Sequence, residues 1–424
     1  MSRSNLLKEA FKKRILVTDG AMGTAIQSYG LTADDFGGDE FEGCNEYLNL
    51  VNPGIIREIH ESHLKVGADI LKTNTFGSTA LVLSEYQLHE QAYAITRAGA
   101  QIARELADAY STPEQPRFVA GSMGPTTKAI SVTGGVTFDE LVENFREQAR
   151  ALIDGGVDYL LIETSQDTRN VKAALIGIRQ LFDEIGFEVP VAVSGTIEPM
   201  GTMLGGQTAE AFVTSLSHWD LLYIGLNCAT GPDFMTDHIR AMSELAKVPI
   251  GCVPNAGLPD EDGNYIETPE TMAKVLRRFC QEGWVNLIGG CCGTRPDHIA
   301  AFVELAKDYK PRVPASHQRS FVSGIENLEI TDENRPIIVG ERTNVIGSRL
   351  FKQLIIEGKF EEASEIARRQ VRGGAQIIDV CLANPDRDEL QDMENFLAHV
   401  IHKVKVPLMI DSTDAKVIER ALTY

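Results

Sequence analysis

Three cysteines of the 424-residue sequence lie in polar or glycine-rich segments that follow apolar runs. Cys228 occurs in GLNCATG (225–231), and Cys291 and Cys292 occur together in GGCCGT (289–294). Three thiolates with one coordination position left open are a ligand set of catalytic zinc, and soft sulfur ligands select zinc over hard cations. Such a site deprotonates a substrate thiol, and the charge of the three cysteinates keeps the bound sulfur nucleophilic. These residues therefore predict alkylation of a thiol.

Two other interpretations of these cysteines are buried core thiols and a vicinal disulfide. Neighbouring residues of a strand point to opposite faces, so Cys291 and Cys292 can share a metal only where the chain leaves strand geometry. The flanking glycines permit that turn. The seven cysteines are an odd number in a sequence without a secretion signal, which predicts a reducing, cytoplasmic setting and argues against disulfides. The remaining four are expected in the core: Cys44, Cys252, Cys280 and Cys381.

Eight short apolar runs, each ending in small or polar residues and followed by a helix-period stretch, position these cysteines. The runs are 14–20, 68–77, 117–126, 158–167, 190–199, 220–230, 249–257 and 285–294. Apolar strands that alternate with helices indicate a parallel sheet, and eight such units predict an α/β fold of the (β/α)8 TIM barrel type. A doubly wound open sheet is the alternative. In a barrel, Cys228 ends strand six and Cys291 and Cys292 follow strand eight, on one rim.

Charge and hydropathy narrow the function classes. The formal net charge of −20 predicts an acidic, solvated surface that phosphate backbones repel, so we expect no nucleic-acid partner. No apolar run reaches the 18 residues that a membrane span needs, so we expect no membrane partner. The basic N-terminus, MSRSNLLKEAFKKR, has no apolar stretch after it and predicts an amphipathic helix instead of a signal peptide.

The sequence divides into two β/α series. We expect the zinc-containing barrel in residues 1–310, a proline-containing polar linker in 311–335, and a second series in 336–424. That second series has three strand-like runs, 336–344, 375–384 and 406–413. Three parallel strands cannot close, so it is expected to be an incomplete, truncated barrel, either a fragment or a unit completed by chain not shown here.

Six motifs of the first series resemble those of a known enzyme family. DGAMGT (19–24), TNTFG (73–77), GSMGPT (121–126) and IET (162–164), together with the two cysteine segments, resemble the homocysteine-binding domain of homocysteine S-methyltransferases. The resemblance covers about residues 10–310. It implies that Cys228, Cys291 and Cys292 bind zinc and that the sulfur of L-homocysteine becomes the fourth ligand.

The resemblance also implies a substrate site. Glu163 is the first candidate to bind the homocysteine amino group and Asp19 the second, because a buried carboxylate needs a cationic partner. A buried acid paired with an arginine, and a turn residue, are the respective alternatives. Backbone N–H groups of Gly20, Ala21 and Met22, and near Ser122, are candidates for the substrate carboxylate. Asn227 either orients a ligand or caps a strand end.

The second series resembles the start of the pterin-binding barrel, through VGERTNVIGS (339–348), IIDV (377–380) and MIDST (409–413). Asp379 and Asp411 are suited to accept paired hydrogen bonds from a pterin edge, and Asn344 to bind a ring nitrogen or carbonyl. Ordinary helix capping is the alternative for each acid. Cys381 stands where the family has asparagine, and Asn384 is the candidate to replace it.

The order of the two series resembles that of cobalamin-dependent methionine synthases. This implies that homocysteine receives the methyl group of methylcobalamin, ultimately from 5-methyltetrahydrofolate, and that cobalamin is supplied by a corrinoid-binding domain or protein outside this sequence. One alternative is a homocysteine methyltransferase that uses betaine or S-methylmethionine, which would need no folate unit. Another is a non-catalytic zinc- or ligand-binding fragment, although the sequence offers no convincing fourth protein ligand.

Overall fold

The computed structural model describes residues 2–261, 263–316 and 318–424. The described residues form two compact units. The first comprises 2–205 and 217–316, and the second comprises 206–216 and 318–424. Each unit has its own parallel sheet, as the two β/α series predict.

The first unit is built on eight parallel strands. They are β1 (Leu16–Val17), β2 (Ile70–Lys72), β3 (Phe118–Met123), β4 (Tyr159–Ser165), β5 (Val191–Gly195), β6 (Ile224–Asn227), β7 (Ile250–Val253) and β8 (Leu287–Ile288). Each strand pairs with the next in sequence order from β2 to β8, and β1 pairs with β8 through Leu16–Leu287 and Val17–Ile288. A parallel bridge between Thr18 and Ile70 joins the first two strands. The predicted (β/α)8 TIM-type barrel is therefore confirmed.

Twelve α-helices and five short 3-10 helices accompany these strands in chain order. The α-helices are α1 (Arg3–Lys13), α2 (Met22–Ser28), α3 (Leu48–Val51), α4 (Pro53–Lys65), α5 (Ala80–Leu83), α6 (Ala92–Tyr110), α7 (Phe138–Asp154), α8 (Thr168–Ile185), α9 (Ala209–Leu216), α10 (Pro232–Leu245), α11 (Pro269–Gln281) and α12 (Pro296–Ala306). The 3-10 helices are Ala33–Phe36, Asp39–Phe41, Asn45–Tyr47, Ser84–Tyr86 and His89–Gln91. Of these helices, α9 belongs to the second unit.

Local sequence signals set several helix boundaries. Thr137 caps α7, and its hydroxyl accepts from the Glu140 N–H while the Glu140 carboxylate accepts from the Thr137 N–H. This reciprocal pair satisfies two donors that the first turn would otherwise leave open. Helices α4, α10, α11 and α12 each have proline in the first turn, where its missing N–H costs no hydrogen bond.

An apolar cluster fills the barrel at the amino ends of the strands. Leu7 and Phe11 of α1 pack with side chains at the beginnings of the strands, among them Phe118 and Tyr159. The ring of Phe11 stacks on that of Tyr223, with 5.7 Å between centroids. The carboxyl ends of the strands are left to carry the polar side chains, as in other barrels.

The second unit contains a hairpin and a smaller sheet. The strands β9 (Ser320–Ser323) and β10 (Asn327–Ile330) form the antiparallel hairpin, inside the segment expected as a linker. Helix α9 bonds to it through Thr214 and Asn327, 2.7 Å apart. The sheet has three parallel strands, β11 (Val339–Gly340), β12 (Ile377–Val380) and β13 (Leu408–Ile410). Its helices are α13 (Arg349–Ile356), α14 (Phe360–Arg372), α15 (Glu389–Val400) and α16 (Ala415–Ala421).

Side chains between the sheet and helices of the second unit form a separate core. Phe351 of α13 and Phe396 of α15 are fully buried and meet edge to face, with ring centroids 5.1 Å apart. They pack with Ile378 and Val380 of the central strand. Within the described residues, no helix combines the length and apolar character needed to cross a membrane.

Candidate metal centre and substrate site

The three predicted cysteines lie together at the carboxyl end of the barrel. Their sulfur atoms are all within 4.8 Å of one another, and the Sγ atoms of Cys228 and Cys292 are 3.8 Å apart. Among residues 2–261, 263–316 and 318–424, no histidine, aspartate or glutamate joins this group. The cluster thus offers three sulfur ligands from two separate loops.

Backbone turns at the ends of β6 and β8 produce this convergence. Cys228 and Ala229 have φ values of +60° and +57°, a left-handed conformation that non-glycine residues adopt at a cost of about 1–2 kcal/mol each. Gly293, at φ +79°, turns the chain directly after Cys292. A Cβ at Gly293 would collide with the side chain of Tyr265, so only glycine fits there. The chain has left strand geometry at both loops, as a shared metal requires.

Asn255, in the loop after β7, joins the two cysteine loops. Its side-chain Oδ1 accepts a hydrogen bond from the Cys292 N–H at 3.1 Å, and its N–H donates to the carbonyl of Thr230 at 3.0 Å. The Cys291 N–H donates to the carbonyl of Pro254 at 2.8 Å. The loop after β7 therefore fixes the distance between the ligands on either side of it. The signal for this contact in the sequence is the motif PNAG (254–257), whose role is evident only from the structure.

Contacts among the thiols distribute their charge unequally. Hydrogen bonds from Cys228 and then Cys291 lower the pKa of Cys292 to about 3. Hydrogen bonding to Cys291 and Cys292 raises the pKa of Cys228 far above its ordinary value. The hydroxyl of Tyr265 also bonds to Cys292. The ionisation of the three thiols is therefore coupled, and a bound divalent cation would displace their protons.

The cluster fits zinc by donor type and by spacing. Tetrahedral zinc with Zn–S bonds of about 2.3 Å holds its sulfurs about 3.8 Å apart. The Cys228–Cys292 separation has that value, 3.8 Å. Three thiolates with no fourth described protein ligand correspond to a site that keeps one position for substrate.

Asp19 lies at the end of β1 and is almost fully buried. Its Oδ2 accepts from the Lys72 N–H at 2.9 Å, and its Oδ1 accepts from the Thr18 hydroxyl at 3.1 Å. Burial raises the pKa of Asp19 to about 6, although the charge of Lys72 opposes the shift. The carboxyl group is therefore part of the barrel interior, and its ionisation depends on the cations around it.

Glu163, the first candidate for the substrate amino group, is buried on β4. Its Oε1 accepts a hydrogen bond from the Ser122 hydroxyl at 2.5 Å, and burial raises its pKa. The backbone N–H of Ser122 donates to the Thr73 hydroxyl at 2.9 Å, so this N–H is already paired. Ser122 thus orients Glu163, and its own N–H is paired with Thr73, so only other N–H groups near Ser122 remain candidates for the substrate carboxylate.

Gly20, Ala21 and Met22 form the turn into α2. Among the described residues, no hydrogen bond uses the backbone N–H of any of the three. Gly20 is closely packed, since a Cβ there would lie 2.8 Å from Cε1 of His63. These N–H groups remain candidates for an anionic group of the substrate.

Asn227 precedes Cys228 and connects three strand ends. Its Oδ1 accepts from the Ser194 hydroxyl at 2.6 Å and from the Thr164 N–H at 2.9 Å. Its Nδ2 donates to the Thr164 hydroxyl at 2.7 Å. The side chain is therefore engaged with β4 and β5, directly beside Cys228.

Three further residues in this region were missed. Lys72 ends β2 with its side chain 12% exposed, and its Nζ lies 3.3 Å from the carbonyl oxygen of Gly290 and 3.6 Å from Oδ1 of Asp19. His60 and His63 of α4 are buried behind Asp19, and burial lowers their pKa values to about 3 and about 4. A lysine inside the apolar run ADILKTNTFG was the available signal for the first of these.

The structure brings together only part of the predicted folate set. Asn344 donates from Nδ2 to Oδ2 of Asp379 at 3.0 Å. Burial raises the pKa of Asp379, with the nearby charge of Asp411 contributing. Asp411 is exposed and also bonds to the thiol of Cys381. Asn384 is buried, and its Oδ1 accepts from the N–H of Asp386 at 3.4 Å.

Comparisons with known proteins match both units. A family model described as homocysteine S-methyltransferase matches residues 16–306, and one described as pterin binding enzyme matches residues 340–424. The structure of the homocysteine methyltransferase MmuM from Escherichia coli in its metallated form matches with a TM-score of 0.58 at 24% identity, covering 71% of this chain and 98% of that chain. Its oxidized form gives 0.57 at 24% identity, covering 72% and 99%. At these identities, the structural likeness shows the barrel fold.

Proposed function

Because the chain belongs to the homocysteine S-methyltransferase family, we propose that it is a methyltransferase that uses zinc, held by Cys228, Cys291 and Cys292, to methylate L-homocysteine. The observation that carries this proposal is the convergence of three sulfurs within 4.8 Å, without a fourth described protein ligand. Zinc at this position would lower the pKa of the substrate thiol and keep its sulfur nucleophilic.

The chain's own residues bind and orient the amino acid. Glu163 and Asp19 are buried carboxylates that accept hydrogen bonds from the substrate ammonium group. The positive charge of that group offsets the free-energy cost of burying the carboxylates. The N–H groups of Gly20, Ala21 and Met22 receive the substrate carboxylate. Asn227 acts beside them, because it fixes the backbone next to both Glu163 and Cys228.

The methyl group comes from methylcobalamin held by a corrinoid-binding domain or protein outside this sequence, and ultimately from 5-methyltetrahydrofolate. The pterin-binding match over residues 340–424 supports a folate-type donor. In the transfer, the substrate sulfur forms a bond to the methyl carbon, the bond from that carbon to the donor breaks, and the electron pair stays with the donor. Asn344 and Asp379, already in contact, are expected to bind the pterin with Asp411 and Asn384.

The first test is methionine formation from homocysteine and free methylcobalamin by the zinc-loaded chain. Cys292→Ala should reduce the rate at least 100-fold and reduce the zinc content. Cys280→Ala provides a matched control, because Cys280 is a buried thiol of α11 outside the cluster. Equal rates in the parent and Cys292→Ala would contradict the proposal. Turnover with betaine or S-methylmethionine, but not with methylcobalamin, would support the zinc site and show that the methyl donor is not methylcobalamin.

A further inference from the structure

Lys72 places an ammonium group between the acidic residues and the cysteine loop. Its Nζ is 3.3 Å from the Gly290 carbonyl oxygen and 3.6 Å from Asp19 Oδ1. Glu163 and Cys291 also interact with it electrostatically. Among the residues that the structure describes in contact with Asp19, Glu163 or the cysteine loop, it is the one permanent cation, because the buried imidazoles are neutral at physiological pH.

The hydrogen-bonding capacity of this group is only partly used. An ammonium has three N–H donors. The described contacts use at most two of these donors, one for the hydrogen bond to Gly290 and one for the ion pair with Asp19 at 3.6 Å. At least one donor is therefore left for a ligand. The side chain as a whole is 12% exposed, so it is not completely enclosed by the described residues.

Lys72 is connected through Gly290 to the turn after β1. The Gly290 N–H donates to the Asp19 carbonyl at 3.4 Å, and the Gly290 carbonyl accepts from Lys72. The ammonium thus lies beside the turn that leads to the unpaired N–H groups of Gly20, Ala21 and Met22. A zwitterion whose own ammonium meets Glu163 would bring its carboxylate close to buried acidic groups, where a neighbouring cation together with the free N–H groups makes binding favourable.

We propose that Lys72 binds the carboxylate of the amino-acid substrate and makes the site selective for thiols that carry both an ammonium and a carboxylate group. This inference rests on the proposed function, because it assumes that the substrate is an amino-acid thiol bound at the three cysteines. It assigns Lys72 a substrate contact, beyond its ion pair with Asp19. Replacement of Lys72 should therefore weaken the binding of ligands that carry a carboxylate and should not weaken the binding of ligands that lack one.

Calorimetric binding of two ligands to the zinc-loaded chain tests this assignment. The ligands are L-homocysteine and 3-aminopropanethiol, which keeps the thiol and amine but lacks the carboxylate. Lys72→Met should raise the Kd for homocysteine about 10- to 100-fold, the range expected for loss of a charge-assisted hydrogen bond. The Kd for 3-aminopropanethiol should change less than about threefold or fall, because a repulsive cation has been removed.

Lys72→Gln serves as a second neutral variant if Lys72→Met does not fold, and zinc content is measured in each. Lys128→Met is the matched control, since Lys128 is a partly exposed lysine in the loop after β3 that bonds to the Gly135 carbonyl. It should leave both Kd values unchanged. Equal weakening of both ligands in the Lys72 variants, or no weakening of homocysteine, would overturn the assignment while the parent's homocysteine binding still supports the proposed function. Absence of homocysteine binding by the zinc-loaded parent would overturn both.

Discussion

Asn227 at the end of β6 and Thr164 on β4 are joined by two hydrogen bonds across the end of β5, the strand between them. Asn227 Oδ1 accepts from the Thr164 N–H at 2.9 Å, and Asn227 Nδ2 donates to the Thr164 hydroxyl at 2.7 Å. Thr164 has a φ of +56°, a left-handed conformation that costs about 1–2 kcal/mol in a non-glycine residue. The pair therefore stabilises an unfavourable backbone directly after Glu163, and so fixes the direction of that carboxylate.

Replacement of Asn227 should affect both stability and substrate binding. Asn227→Ala leaves the Thr164 N–H and the Ser194 hydroxyl without partners, which should cost about 2–3 kcal/mol of unfolding free energy. It should also raise KM for homocysteine more than it lowers kcat, because Glu163 loses its orientation. Urea denaturation and steady-state kinetics measure the two effects. Asn264→Ala, at an exposed asparagine, is the control. If the Asn227→Ala variant were destabilised but its KM for homocysteine were unchanged, Asn227 would have only a structural role.

The Gly293 turn permits a separation of backbone strain from steric clash. Gly293 and Gly186 have similar φ values of +79° and +77°, but a Cβ at Gly186 has no atom within 4 Å whereas one at Gly293 collides with Tyr265. Gly186→Ala should therefore cost about 1 kcal/mol and leave zinc content unchanged. Gly293→Ala should destabilise further and lower the zinc affinity at least tenfold, measured by competition with a chelator. Similar zinc affinity in the two variants would contradict a role for this turn in metal binding.

Glu163 and the serine that orients it, Ser122, should contribute unequally to substrate affinity. Glu163→Gln removes the charge that faces the substrate ammonium, so we expect KM for homocysteine to rise about 10- to 100-fold. Ser122→Ala removes only the hydrogen bond that orients Glu163, so its effect should be several times smaller. If both substitutions left KM unchanged while zinc remained bound, the amino group would have to bind elsewhere.

The buried histidines should make stability depend on pH. Burial lowers the pKa of His60 to about 3, whereas the unfolded chain protonates this histidine near pH 6.5. Its contribution to the unfolding free energy is therefore present above pH 6.5 and falls by about 1.4 kcal/mol per pH unit as the pH drops from 6.5 toward 3. Asp19 has the opposite dependence, because its raised pKa of about 6 favours the folded state at low pH and loses that effect as the pH rises.

A variant without His60 isolates the contribution of this histidine to the pH dependence of stability. Relative to the parent, His60→Leu should gain about 1.4 kcal/mol per pH unit between pH 6.5 and 4, and the difference should be constant above pH 7. Chemical denaturation at a series of pH values measures it. A difference independent of pH throughout this range would show that folding does not lower the pKa of this imidazole.

Folate binding should be separable from homocysteine binding. Asp379→Asn replaces one of two acceptors for the pterin edge, so we expect 5-methyltetrahydrofolate to bind at least tenfold more weakly. The Kd for homocysteine should not change. Asp414→Asn is the control, because Asp414 caps α16 and has no proposed ligand role. Equal folate affinity in parent and Asp379→Asn would contradict the assignment of this acid.

Sequence patterns predicted the barrel because each strand is a continuous apolar run that ends in a change of polarity. The same patterns placed Cys228, Cys291 and Cys292 at one end, and the structure brings their sulfurs together. Roles that depend on contacts between residues far apart in the sequence were harder to predict. The N–H of Ser122 is paired with the hydroxyl of Thr73 at the end of the adjacent strand β2, and no local pattern encodes that contact. Lys72 was visible as a charge in an apolar run, but its contact with Gly290 spans 218 positions.

The junction between β1 and its neighbours has a consequence for the biosynthesis of the protein. The substrate residues at Asp19 and the thiolates at Cys291 and Cys292 come from opposite ends of the barrel sequence, and the Gly293 N–H donates to the Thr24 hydroxyl across 269 positions. Contacts of such long range form late, because the intervening chain must first be ordered. During translation, a nascent chain that has not yet exposed residue 291 holds only one of the three ligands. On the proposed function, zinc capture should therefore follow closure of the barrel, and a ribosome-bound intermediate should remain free of metal until then.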